Sequence, residues 1–116
     1  MEKNSKLSKL IKRAAKATGT KIEYSNYYDS WVYADYLLDC YDPSTDSEQA
    51  FELVVALRMQ VDIAEEYVTA TAFTKIDSFV QLQRPYSLRE SKLKTARTAI
   101  LELAAKLATK KSKDQK

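Results

Sequence analysis

The sequence predicts an all-α protein, a small bundle of three to four helices with a long or kinked central helix over about 46–83 and a disordered basic C-terminal tail. Three observations point there. Only one glycine, Gly19, and two prolines, Pro43 and Pro85, punctuate the chain, whereas tight sheet turns with positive φ are usually built on glycine. Apolar residues recur at spacings of three and four. Helix start and stop signals bound those stretches. With 116 residues and 45% hydrophobic content, there is material for one core. The expected organisation is a single α-helical domain over 1–109 and a flexible basic tail over 110–116.

The first helix is expected over 5–18. Leu7, Leu10, Ile11, Ala14 and Thr18 fill one side of a helical wheel, and Lys9, Lys12, Arg13 and Lys16 the other. Gly19 is a natural residue to follow its C-cap. Residues 20–26 read as a connector in which Ile22 and Tyr24 alternate with polar residues, so a short extended piece fits there.

A second helix is expected over 29–41, capped by Asp29 or Ser30 and stopped at Asp42-Pro43, because the residue before proline is pushed out of the α region. The third opens on the capping-box pattern Thr45-Asp46-Ser47-Glu48. Its core stripe is Ala50, Leu53, Val54, Leu57, Val61, Ala64 and Val68, and it runs from 46 to 68 or on to 83 through Phe73, Ile76 and Val80. Thr69, Thr71 and Thr74 weaken helix propensity, which makes a kink, or a strand over 67–74, the alternative. After Arg84-Pro85, Ser87 to Glu90 form a second capping-box pattern for a helix over 88–108, with Leu93, Ala96, Ile100, Leu103 and Leu107 as its seam.

Charge is segregated along the chain. Residues 1–21 carry seven Lys/Arg and one acid, residues 22–83 two Lys/Arg and twelve acids, and residues 84–116 ten Lys/Arg and three acids. Basic outer helices could therefore pair with acidic middle ones, or could bind a polyanion. The nucleic-acid candidates are Lys9, Lys12, Arg13, Lys16, Lys92 and Arg97, with the basic tail.

The middle helices carry more apolar surface than a surface helix needs. In 29–41, Asp35, Asp39 and Asp42 share one narrow arc and nearly everything else is apolar or aromatic. Behind the core stripe of the third helix lies a second row at i, i+4 spacing: Val55, Met59, Ile63 and Tyr67. Tyr and Met suit interfaces, so Tyr33, Tyr36, Met59, Ile63 and Tyr67 are the protein-interface candidates. Base stacking on the tyrosine-rich segment is disfavoured by Asp29, Asp35, Asp39 and Asp42.

Catalytic equipment is not expected. The chain has no His, one Cys and one Gly, which removes the usual general base, a structural zinc site and the glycine-rich phosphate loops. Cys40 reads as a buried thiol in mid-helix. Asp62-x-x-Glu65 alone hints at a metal-dependent all-α phosphohydrolase, and its second carboxylate pair is missing. The expected function is a non-enzymatic interaction protein, an adaptor, inhibitor or assembly factor, that binds a protein partner or itself. Nucleic-acid binding is the alternative. No cofactor, metal, membrane or small-molecule substrate is expected. The N-terminus lacks the continuous apolar run of a secretory signal, and the lone thiol suits a reducing, cytoplasmic setting.

Overall fold

The computed structural model describes residues 3–75 and 78–114. The all-α expectation is wrong for this chain. The order is α1 (Lys6–Thr18), β1 (Ile22–Ser25), β2 (Ser30–Tyr33), β3 (Tyr36–Cys40), α2 (Ser47–Ala56), β4 (Met59–Ile63), β5 (Tyr67–Lys75), β6 (Ser78–Pro85) and α3 (Lys92–Asp114). The strands make two separate three-stranded antiparallel sheets, β1-β2-β3 and β4-β5-β6.

The first helix forms as its sequence dictates. Ser5 caps it, its hydroxyl accepting the Ser8 N–H at 3.1 Å. Gly19 closes it in the left-handed region at φ 72°, its N–H bonding back to the last turn. Ile11, Ala14 and Ala15 face inward and Lys9, Lys12, Arg13 and Lys16 outward.

The expected second helix is instead the β2–β3 hairpin, two of the three strands of the first sheet. Ser30-Trp31-Val32-Tyr33 and Tyr36-Leu37-Leu38-Asp39-Cys40 carry the aromatic and branched residues that suit a pleated surface. The glycine argument fails because the turns use other means. Asp29 (φ 50°) and Arg58 (φ 52°) take the left-handed region themselves, and Asp does so more readily than most residues. Ala34-Asp35 joins β2 to β3 with no positive φ. A two-residue turn of that kind does not match the twist of its strands and splays them. The ladder breaks accordingly: Tyr33 pairs with Tyr36, but the next pair is Val32 with Cys40. Leu37, Leu38 and Asp39 bulge out of the register.

The expected long central helix is α2 followed by strands. Asp46 caps α2, accepting the Gln49 N–H at 3.0 Å, so the capping signal holds one residue further along than Thr45. The helix ends at Leu57, and beyond it the chain alternates with period two. Met59, Val61 and Ile63 of β4 pair across to Ala72, Ala70 and Val68 on one face of the second sheet. Gln60, Thr71 and Gln81, and Asp62, Thr69 and Gln83, line up on the other. Residues 110–114 of the expected disordered tail instead continue the last helix, while Ile76, expected to continue the helical stripe, and 115–116 lie outside the described residues. The last helix starts later than the Ser87 signal suggests. Ser91 caps it, accepting the Lys94 N–H at 3.0 Å, while Ser87 closes a turn onto Arg89.

The core gathers around α3. Ile100, Leu101, Leu103 and Ala104 are buried together with Ile11 and Ala15 of α1, Leu53 of α2, Met59 of β4 and Ala70 and Ala72 of β5. Small residues face one another where α3 crosses the sheet, Ala96 and Ala99 against Val68, which allows close approach. Leu93 of the expected seam stays exposed. An Arg84–Glu102 pair at 2.6 Å ties β6 to α3. The first sheet docks through Trp31, whose Nε1 donates to the buried Ser8 hydroxyl of α1 at 2.7 Å.

Candidate docking surface between β3 and α2

A buried loop sets β3 beside α2. Pro43 and Ser44 are buried, and Gln49 of α2 clamps both sides of the corner. Its Nε2 donates to the Cys40 carbonyl at 2.8 Å, and its Oε1 accepts the Asp42 N–H at 2.6 Å. Asp42 accepts the Ser44 N–H at 3.0 Å. From the far side, Arg97 of α3 donates from Nε to the Ser44 carbonyl and from Nη1 to the Ser47 hydroxyl, both at 2.9 Å. The corner is therefore held by hydrogen bonds rather than by apolar contact alone.

An open concavity of about 720 Å³ lies between the two elements. Its walls include five carboxylates, Asp35, Asp39, Asp46, Glu48 and Glu52, together with Tyr33, Tyr36, Cys40 and Gln49. Among the described residues, no Lys or Arg lines it. The Tyr33 hydroxyl registers the resulting field: burial raises its pKa first, and Glu52, Asp46, Asp39 and Asp35 raise it further. Tyr33 stacks edge-on against Tyr41, whose pKa burial also raises, with Tyr33 and Glu52 adding to the effect.

Apolar side chains are exposed on the same two elements. Tyr36, Leu37 and Leu38 are 55%, 53% and 66% exposed, and no residue of β3 is covered on either face. On α2, the 100° step places Phe51 and Val55 next to Glu48 and Glu52 and away from buried Ala50 and Leu53. Phe51 and Val55 are 65% and 63% exposed.

The sequence-based candidates are dispersed. Tyr33 and Tyr36 meet at this concavity. Met59 is buried in the core, Ile63 is exposed at the end of β4, and Tyr67 lies over the outer face of the second sheet, beside Gln60, Asp62, Thr69, Thr71, Gln81 and Gln83. They share no helix face, because residues 59–63 and 67 are in strands. Cys40 is exposed, not buried in a helix. Lys9, Lys12, Arg13 and Lys16 lie exposed on α1, and no ion pair among the described residues engages them. Lys92 sits 5.2 Å from the centre of the Tyr86 ring, and Arg97 is engaged at the Ser44–Ser47 corner. Asp35 and Asp39 line the concavity, whereas Asp42 turns into the loop.

Leu37, Leu38, Phe51 and Glu52 are not among the sequence candidates; Val55 enters there only in the second apolar row and Glu48 only in a capping box. The surplus of apolar residues over 29–41 was the available signal. Among the described residues, no group of three or more carboxylate or cysteine side chains could hold a metal ion. No described helix is long and apolar enough to cross a membrane. No family model matches the chain, and neither the curated proteins nor the solved structures contain a match to it.

Proposed function

We propose that this chain is a non-enzymatic protein-binding module that takes its partner at the surface shared by β3 and α2. One observation carries the reading. Leu37 and Leu38 are pushed to solvent by a bulge in an edge strand, beside a helix that also turns Phe51 and Val55 outward. Folding gains little from these side chains, since they remain exposed, and clustered exposed apolar residues mark interaction surfaces. The Tyr36 ring adds area with a polar tip.

The test separates binding from folding. The double variant Leu37→Ser/Leu38→Ser, and separately Phe51→Ser, should change unfolding free energy by no more than about 0.5 kcal/mol. The same variants should lose a partner that the parent chain retains in affinity capture from native extract. A variant that keeps its fold and an unchanged set of captured proteins rules the surface out.

A second reading has its own observation. Lys9, Lys12, Arg13 and Lys16 form a cationic row on α1 with no ion pair among the described residues, which would suit a polyanion such as nucleic acid. It is narrower than the sequence suggested, since Arg97 is spent on the Ser44–Ser47 corner.

A further inference from the structure

We infer that the occupant of the β3–α2 surface is a protein segment that carries Lys or Arg next to bulky apolar residues. This rests on the docking reading above and adds the partner's chemistry. The concavity brings together Asp35 and Asp39 from the β2–β3 hairpin and Asp46, Glu48 and Glu52 from α2. Such a wall is charge-complementary to cationic side chains and repels phosphates. Among the described residues, no cation within the lining neutralises it. The cations of α1 lie outside its lining, and Arg97, the arginine nearest in contacts, bonds to Ser44 and Ser47 rather than to a carboxylate.

Acidic surfaces alone are common and select little. Here the exposed Leu37 and Leu38 fall between Tyr36 and Asp39, which line the concavity, and the exposed Phe51 and Val55 share α2 with Glu48 and Glu52, so the elements that carry the charge also carry apolar side chains. The bulge also limits how the segment binds. Leu37, Leu38 and Asp39 are out of register, so β3 is a poor template for an added strand along its length. Recognition therefore runs through side chains, as when an amphipathic helix lays one face on a groove.

The experiment is a fluorescence-anisotropy titration of the full chain with labelled synthetic amphipathic helices. One carries Lys beside Leu and Phe. A second has every Lys replaced by Glu, and a third has every Leu and Phe replaced by Ser. The first should bind, and its affinity should fall roughly tenfold between about 0.05 and about 0.5 M salt. The other two should bind at least about tenfold more weakly. Glu48→Lys/Glu52→Lys, checked for native circular dichroism, should weaken the first peptide at least about tenfold, with Glu48→Gln/Glu52→Gln as the milder pair should the reversal disturb folding.

Equal binding of the Lys and Glu peptides overturns the inference. So does full binding of the Ser peptide, because a diffuse acidic field would then be enough. Self-association of the chain at low salt that the Glu48→Lys/Glu52→Lys change abolishes also overturns it, in favour of a second copy as occupant. If Leu37→Ser/Leu38→Ser removes a native partner while no basic peptide binds, the partner chemistry is wrong and the docking reading stands.

Discussion

Tyr33 and Tyr41 show how one residue's environment reports the character of the surface around it. Both hydroxyls are held neutral by burial, and both feel Glu52. For each, the folded pKa lies above that of the unfolded chain, where tyrosine titrates near about 10. The stabilising contribution is thus complete below about pH 10 and is lost as pH rises through the folded values, because the unfolded chain releases protons that the folded chain retains. Spectrophotometric titration should show a tyrosinate phase later than that of the unfolded chain. Tyr41→Phe should remove most of the later phase, and Glu52→Gln should move the Tyr33 part of it toward lower pH. A single phase near pH 10 for the parent chain would contradict the burial of these two rings. None of this was readable from composition. The sequence shows a tyrosine-rich, acidic stretch, but which tyrosines are covered depends on a ladder that it does not announce.

At the scale of elements, α1, α2 and α3 were legible, and among the strands only β1, expected as a short extended piece, and β5, expected as the alternative over 67–74; the rest read as helix for a specific reason. The row Val55, Met59, Ile63 and Tyr67 has a spacing of four, which keeps residues on one face of a helix. Four is also an even number, so Met59 and Ile63 share one face of β4 just as they would share a helix face, while Val55 lies in α2 and Tyr67 on the opposite face of the sheet in β5. Asp35 and Asp39 carry the same ambiguity. Where period two is unambiguous, as in Val80-Gln81-Leu82-Gln83, the alternation matches the observed burial of β6. Among the caps, Ser5, Gly19 and Asp46 act at or next to their expected places, whereas the Asp29/Ser30 signal opens no helix and Ser91 replaces Ser87. The scarcity of glycine was misread as a bar to sheets. It acts instead on their quality: a turn at Ala34-Asp35 without positive φ splays the hairpin and produces the bulge. Replacing it with Ala34→Asn/Asp35→Gly, which favours a type I′ turn, should therefore restore regular pairing past Tyr33. The amides of residues 37–39 should exchange about tenfold more slowly, and docking through Leu37 and Leu38 should weaken in step. Unchanged exchange at these three amides would mean that something other than the turn creates the bulge.

Across the whole molecule, stability is distributed unevenly, and the candidate surface lies at the weakly held end. The chain forms a plate of 41 × 40 × 22 Å in which α3 packs against α1, α2 and every strand of the second sheet. The first sheet is attached differently. Its main packing against a helix is that of β2 on α1, fastened by the Trp31–Ser8 hydrogen bond, with Trp31 and Tyr41 as its anchors in the shared core. Opening the first sheet would expose those two rings and leave the packing of Leu101, Leu103 and Ala104 against α1 and the second sheet largely in place. A surface that must adapt to a partner belongs on such a unit, since docking then need not disturb the main core. Hydrogen exchange should accordingly be slowest in α3 around residues 99–104 and fastest in residues 34–40. The two should differ by more than about a hundredfold, equivalent to roughly 3 kcal/mol of local opening energy. Trp31, the only tryptophan, gives an independent readout, because its fluorescence should change at lower denaturant than the helical circular dichroism. Ser8→Ala leaves the Trp31 N–H buried without its acceptor and should widen that gap by about 1–3 kcal/mol of selective destabilisation. If both probes report one coincident transition in the parent and in Ser8→Ala, the first sheet is cooperative with the rest, and partner binding at β3 would then have to be transmitted to the entire fold.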